Sequence, residues 1–454
     1  MISTPRDVAV PPDAAEPGAA LGRATLTKVA WRLLPFLLLL YIVAWIDRVN
    51  IGIADALTTM RADVGLNDWT YGLGAGVFFV AYAFCEVPSN LILARVGARI
   101  WIARIMITWG ILSVAMLFAH SPVSFGVLRF LLGAAEAGFL PGIIYYLGHW
   151  FPSAERARAV SWFMLGIPLS SVVGQPLGGA IIGLDGLQGL KGWQWLFLLE
   201  GVPAVLLGIV ALFFLTDAPE HARWLTAEQR DWLSRKVRAE HAAAERSHGI
   251  GLKAALLHPT VWLLCVILFA CQTCSYGLTL WINQIIKSMG GLTSLQATLI
   301  VAIPYMAAAV GMVAIGRSSD RSGERVMHVA IPSAIAAVAF CASAFLVSPV
   351  LAIIALSVAA IGDLGTRGPF WALPTRFLAG SAAAGGIALI NMMASFGGLV
   401  GPAAVGWVRQ ATGGFTGGLI FLGGVMLVGA ITTLVLRGAP VLEEAETRAN
   451  ALRR

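Results

Sequence analysis

The chain has 454 residues, 58% of them hydrophobic and only 12% charged, with a mean hydropathy of +0.80. Soluble domains carry roughly 25% charged residues, so this composition excludes a soluble globular protein and predicts an all-α, multi-pass protein whose main surroundings are the lipid bilayer. The formal net charge of +7 is not gathered into a basic run or basic helix face that could track phosphates, which excludes a nucleic-acid partner.

Residues 1–32 are rich in alanine and proline (Pro5, Pro11, Pro12, Pro17) and read as a disordered tail. They do not read as a signal peptide, because the apolar run that follows is long and runs into Asp47-Arg48 rather than a small-residue cleavage site. At about 20 apolar residues per crossing, twelve spans are predicted: 33–54, 70–91, 101–120, 122–147, 158–183, 193–215, 260–286, 294–316, 326–346, 349–375, 385–408 and 415–436. Two of the breaks rest on the turn signals Ser121-Pro122 and Ser348-Pro349.

The one long hydrophilic stretch, 216–258, reads as a solvated surface helix without chemistry of its own. It divides the spans into two six-helix bundles, 33–215 and 259–437, followed by a second tail at 438–454. Two equal bundles fit a parallel repeat, in which substrate binds near the midplane between the halves. Outside the spans, lysine and arginine fall on one side of the membrane except for Arg61, Lys191, Lys287 and Arg409, so the positive-inside rule puts both termini in the cytoplasm.

Asp47 and Arg48 stand in the middle of the first apolar run. Ionisable residues at lipid depth are costly and by default mark an ion or substrate pathway, so transport is the first hypothesis. Arg129 and Glu136 lie seven residues, two turns, apart on the fourth span and therefore share a face. Asp363 and Arg367 are spaced i, i+4 with the acid first; either they neutralise each other or Arg367 contacts a second substrate carboxylate. Tyr82, Ser170, Ser171 and Asn391 are polar groups in apolar sequence that either line a cavity or bond a neighbouring helix.

Gly316-Arg317-Ser318-Ser319-Asp320-Arg321-Ser322-Gly323-Glu324-Arg325, between the eighth and ninth spans, resembles the loop signature of the major facilitator superfamily, with Gly316, Asp320, Arg321, Gly323 and Arg325 as its gating positions. The corresponding stretch Asn90-Leu91-Ile92-Leu93-Ala94-Arg95-Val96-Gly97-Ala98-Arg99 keeps the glycine and the bases but has Ala94 where an acid is usual. Asp47-Arg48-Val49-Asn50-Ile51-Gly52, the run from Arg129 through Gly142, Phe370-Trp371-Ala372-Leu373-Pro374-Thr375 and Gly386-Ile387-Ala388-Leu389-Ile390-Asn391 are together similar to the anion:cation symporter branch of that superfamily. The resemblance covers residues 33–436. It implies a twelve-helix, two-bundle fold in which the first and fourth spans adjoin, so that Asp47, Arg48, Arg129 and Glu136 surround one cavity. It also implies import of a small organic carboxylate together with protons, carried by Asp47 and Glu136, and it adds weight to Tyr82 and Asn391 as cavity residues. Trp45 and Ile167-Pro168 depart from the polar groups of the sugar-acid carriers, which moves the expected substrate toward smaller or more apolar acids, tartrate-like or aromatic.

The residue types suit that chemistry. Arginine stays charged and offers a planar fork to a carboxylate; Arg48, Arg129 and Arg367 are the candidates. A buried acid beside an arginine is caught between opposing effects, so substrate occupancy can tip its protonation. The alternative is that Asp47-Arg48 and Arg129-Glu136 are structural ion pairs. No G-x-x-x-x-G-K-[ST] occurs, so the energy must come from a gradient. The seven histidines lack ligand spacing, and no metal, cofactor or enzymatic cluster is expected. Cys271 and Cys274, and the Gly72–Gly76 and Gly397–Gly401 stretches, read as helix-packing positions. The stretch Gly174-Gln175-Pro176-Leu177-Gly178-Gly179 falls one residue short of an antiporter signature; exchange therefore stays as the alternative, with a transport-inactive sensor as the rival class. The expected setting is a bacterial inner membrane and the expected working unit a monomer.

Overall fold

The computed structural model describes residues 17–246, 256–374 and 380–438, and these are helical throughout apart from turns and short loops. In chain order the helices are α1 (Pro17–Leu57), α2 (Met60–Val64), α3 (Asp68–Val96), α4 (Ala98–Ala115), α5 (Pro122–Glu136), α6 (Phe139–Trp150), α7 (Ser153–Met164), α8 (Gly166–Ile182) and α9 (Gly192–Phe214). After these come α10 (Ala227–Arg246), α11 (Pro259–Ser288), α12 (Ser294–Ser322), α13 (Met327–Ser343), α14 (Pro349–Gly365), α15 (Arg367–Trp371), α16 (Gly380–Thr412) and α17 (Thr416–Arg437). Among the described residues, 11 segments are long and apolar enough to cross a bilayer, and α13 is a shorter apolar helix of 17 residues. The tail residues 1–16 and 439–454, and Thr375, lie outside the described residues.

The tail expected to be disordered over 1–32 is corrected from Pro17 onward, where the chain is already helical. Gly22, Thr25, Val29, Leu33, Leu37 and Leu40 form a buried stripe at helical spacing, and Gly22 lies against Trp232 of α10. The exposed face of this segment gave the polar composition; the stripe beneath it is what folds. The hydrophilic stretch between the bundles carries α10, which buries Leu233 and Val237 against the first bundle.

Local chemistry explains where helices start and stop. Ser121 accepts the N–H of Ser124 at 3.1 Å while Pro122 fills the first helical position, the cap that the Ser-Pro signal promised. The predicted fourth span is broken directly after Glu136: Ala137 leaves the helical region at ψ 132° and Gly138 takes φ +87° before α6 begins. Glycine is required there, since a Cβ would also run into the Ser89 side chain.

The two bundles meet closely at one face, the face of the α2 loop. A Cβ on Gly72 of α3 would collide with the Pro402 carbonyl of α16, Gly52 of α1 abuts the backbone of Leu280 on α11, and Gly179 of α8 abuts Thr298 on α12. Small residues let these backbones touch. Toward the opposite face, a cleft of about 430 Å³ lies between the start of α8 and α12, lined by Leu165, Leu169, Val310, Val313 and Arg317.

On that opposite face, the 316–325 segment is mostly helix. α12 runs through Gly316, Asp320 and Arg321 to Ser322 and is capped by Gly323 at φ +71°. Arg325 returns to donate to Asp320 at 2.6 Å and to Ser319 at 3.0 Å. Glu324 caps α13, accepting the N–H groups of Met327 at 2.7 Å and His328 at 3.2 Å. Burial pushes the Glu324 carboxyl up, but these N–H groups and the His328 ring outweigh it and hold it below its ordinary value of 4.5. A depressed acid contributes stability above its unfolded pKa and loses it as pH falls through the folded one. Glu324→Gln is therefore expected to lower the melting temperature at neutral pH, with the difference from wild type closing below about pH 4.5; a difference that stays constant with pH would contradict the cap's ionic character.

Candidate functional site

Arg48 is the centre of the site. Its guanidinium pairs with Glu136 at the broken end of α5, and its second nitrogen donates to the hydroxyl of Tyr276 on α11 at 3.1 Å. One arginine thus links both bundles. The Arg48 and Glu136 side chains are 11% and 1% exposed, so the pair is nearly dry. The rings of Trp45, Phe78 and Tyr82 lie 5.4, 5.4 and 5.1 Å from the guanidinium carbon, an aromatic wall that favours a cation.

Asp47 points elsewhere. Consecutive helical residues diverge by about 100°, and Asp47 turns into the first bundle, where Trp109 donates to it at 2.6 Å, Asn50 at 3.3 Å, and Ser113 donates as well. It is buried, and the donors are the kind that hold a carboxylate. Neither sequence-adjacent pair is the one formed: Asp47 does not bond Arg48, and Glu136 bonds Arg48 instead of Arg129.

Arg129 is brought near this group and packs against α3. It is fully buried behind the Phe78 ring, 4.9 Å from its centroid, and donates to the Ala75 carbonyl at 3.4 Å. Its Nε and Nη1 find no partner among the described residues, while Asp47 and Glu136 are the acids within its electrostatic reach. In this conformation α5 turns Arg129 inward against α3.

The remaining candidates divide. Tyr82 sits over Arg48, and one turn along α3 Glu86 accepts a hydrogen bond from Asn391 of α16 at 2.5 Å. That contact joins the bundles on the side toward the linker. Ser170 spends its hydroxyl on the Ile167 carbonyl of its own helix at 2.7 Å, and Ser171 is buried. Asp363 and Arg367 pair at 3.2 Å, and Arg367 also donates to the Cys271 carbonyl at 3.3 Å. Gly316, Asp320, Arg321, Gly323 and Arg325 lie at the end of α12, apart from this centre. Cys271 and Cys274 are free thiols, and Cys274 donates to the Leu422 carbonyl at 3.1 Å, as packing residues do.

The four loop cations that broke the charge asymmetry form a second polar layer at the closed face. Arg61 holds Asp55 at 2.5 Å and also Asp68; Arg409 holds Asp68 at 3.1 Å and bonds Gln284; Gln284 in turn donates to Asp55 at 2.5 Å. Lys287 donates to the Ala56 carbonyl at 2.8 Å and Lys191 pairs with Asp63. Trp281 of α11 lies beneath both Arg61 and Arg409, at 5.3 and 5.4 Å. Acids from the first bundle and amides and cations from the second thus latch this face shut. Sequence reasoning missed Tyr276, Glu86, Gln284 and Glu200. For the two glutamates the signal was present, since each is an acid in apolar sequence, the same mark that singled out Asp47.

The sequence profile of the family described as Major Facilitator Superfamily matches residues 37–402. A protein of Agrobacterium vitis named "Putative tartrate transporter" is 48% identical over 424 residues, 93% of each chain. The "Quinolone resistance transporter" of Acinetobacter baumannii is 42% identical over 408 residues, 90% of this chain and 94% of that one. In fold, the chain is similar to the crystal structure of a bacterial homologue of the human lysosomal transporter Spinster, with a TM-score of 0.73 at 18% identity, covering 89% of this chain and 96% of that one. With that coverage by profile and relatives, the chain belongs to the Major Facilitator Superfamily and is a multi-pass inner-membrane transport protein rather than an enzyme.

Proposed function

We propose that the protein imports a small organic acid anion with protons by alternating access, Arg48 taking the substrate carboxylate and Glu136 the proton. The observation that carries this reading is the buried Arg48–Glu136 pair at the line where Tyr276 of the other bundle joins it. A substrate carboxylate competes with Glu136 for the guanidinium. Once displaced, Glu136 is an unpaired buried anion, which is costly until it binds a proton. Substrate and proton are thereby favoured together.

The tartrate-named relative and the aromatic wall around Arg48 support a small acid, tartrate-like or aromatic. A twelve-helix count with α13 included, two six-helix bundles at 33–215 and 259–437 and cytoplasmic termini complete the proposal, and the chain is taken to work as a monomer. In that frame the latched face is periplasmic, so the described conformation is closed to the periplasm. Arg325, bonded to Asp320 and Ser319, then fastens the cytoplasmic end of α12. Exchange or export is the second reading, favoured by the name of the quinolone-resistance relative.

Uptake of radiolabelled L-tartrate and aromatic acids into proteoliposomes under an imposed pH gradient tests this reading. Asp47→Asn and Glu136→Gln are expected to lose accumulation yet keep exchange, and accumulation at wild-type levels in both would remove the proton-carrier assignment. Arg48→Lys is expected to weaken substrate affinity, since an ammonium cannot replace the fork, and to do so more than Arg129→Lys, whose side chain packs against α3. Equal affinities in all three proteins would make both arginines structural.

The Asp363–Arg367 pair is read as mutually neutralising. Removing one partner of such a buried pair costs about 3–5 kcal/mol, while replacing both is often tolerated. Asp363→Asn with Arg367→Gln together should restore expression and uptake lost in either single variant. Loss of dicarboxylate uptake alone, in a well-expressed double variant, would instead put Arg367 on the substrate.

A further inference from the structure

Glu200 lies on α9 within Leu198-Leu199-Glu200-Gly201-Val202 and is 4% exposed. Both its carboxyl oxygens are buried without a hydrogen-bond partner among the described residues. α9 packs against α1, α4 and α8. From α1, the groups facing Glu200 are the Asn50 amide and the carboxyl of Asp47. Asn50 donates to Asp47 at 3.3 Å and leaves its own oxygen unpartnered and buried. From α4, the contact is made by Gly110 and Val114 against Gly201. The charged residues of that helix turn away: Arg104 to the Trp101 ring and the Ala135 carbonyl, Arg99 to Asp217. α8 carries no charged residue, and its Gln175 is buried with both amide atoms unpartnered.

A carboxylate ion here would have at most the Asn50 amide as a donor, shared with Asp47, no facing cation and a second acid close by, which is a costly way to bury the group. The neutral acid suits the site instead, since its O–H can turn to the orphaned Asn50 oxygen. We propose that Glu200 is a further proton-binding residue beside Glu136 and Asp47, sharing a second transported proton with Asp47 across Asn50. In the transfer an O–H bond on Glu200 breaks as one forms on Asp47, leaving Glu200 the carboxylate and the total charge unchanged. Asp47, with its three donors, holds the negative charge in the described conformation; Glu200 holds the proton. This deepens the proton-symport reading and rests on it.

The test reads the proton directly. Infrared spectra of the purified, substrate-free protein at neutral pH should contain a protonated-carboxyl stretching band that Glu200→Gln lacks; identical spectra overturn the proposal. Where Glu200→Gln does not fold, Glu200→Asp must displace the band, and an unmoved band overturns it equally. In proteoliposomes with L-tartrate as probe, Glu200→Gln is expected to keep counterflow, which moves no net protons, and to lose accumulation under a pH gradient. If wild type accumulates, Asp47→Asn fails and Glu200→Gln accumulates normally, Glu200 alone is removed from the coupling site. If wild type itself accumulates no acid under a gradient, symport and the shared proton fall together.

Discussion

A charge carried to lipid depth must find a partner inside the protein, and in this chain Arg48 finds two on opposite bundles. Glu136 meets it from the broken end of α5 and Tyr276 meets it from α11. The rest of the site follows from that demand. Glu136 is the last residue of α5, and the chain turns directly after it through the left-handed Gly138. The aromatic rings around Arg48 exclude water and strengthen whatever carboxylate it holds. On the proposed reading, a carboxylate that takes Arg48 from Glu136 acts on a guanidinium that also bonds the other bundle through Tyr276.

The closed face depends on a different kind of contact. Gly52 and Gly72 bring backbones of opposite bundles together and Gly179 seats the Thr298 side chain, and in the polar layer the Arg409–Asp68 and Gln284–Asp55 bonds span the two bundles. Separating the bundles there would expose these groups to water, where each ion pair is worth little. Toward the linker side, the Glu86–Asn391 bond joins the same two bundles.

Much of this was legible in the sequence because apolar length is a strong physical signal. The spans, the division by the hydrophilic stretch and the cost of Asp47, Arg48, Arg129 and Glu136 could all be read from hydropathy. Partner choice was not. Spacing put Arg129 and Glu136 on one face of α5, which is continuous between them, but two turns separate them by about 10 Å along the axis, and Glu136 pairs with Arg48 instead. Adjacent Asp47 and Arg48 diverge because a helix turns about 100° per residue. The start of α1 was misread because composition averages over both faces, hiding the stripe from Gly22 to Leu40. Arg61, Lys191, Lys287 and Arg409 were read only as exceptions to a charge rule, whereas Lys287 and Arg409 bond across the bundles, Arg61 lies over Trp281 of the second bundle and Lys191 pairs with Asp63.

Coupling through the Arg48–Glu136 bond requires that a substrate carboxylate and a proton arrive together. Calorimetric titration of the purified protein with L-tartrate, repeated in buffers of different protonation enthalpy, counts the protons taken up on binding. Displacement of Glu136 from Arg48 demands proton uptake in the wild type and its loss in Glu136→Gln. Tight binding with no proton uptake in the wild type would contradict the exchange of partners at Arg48.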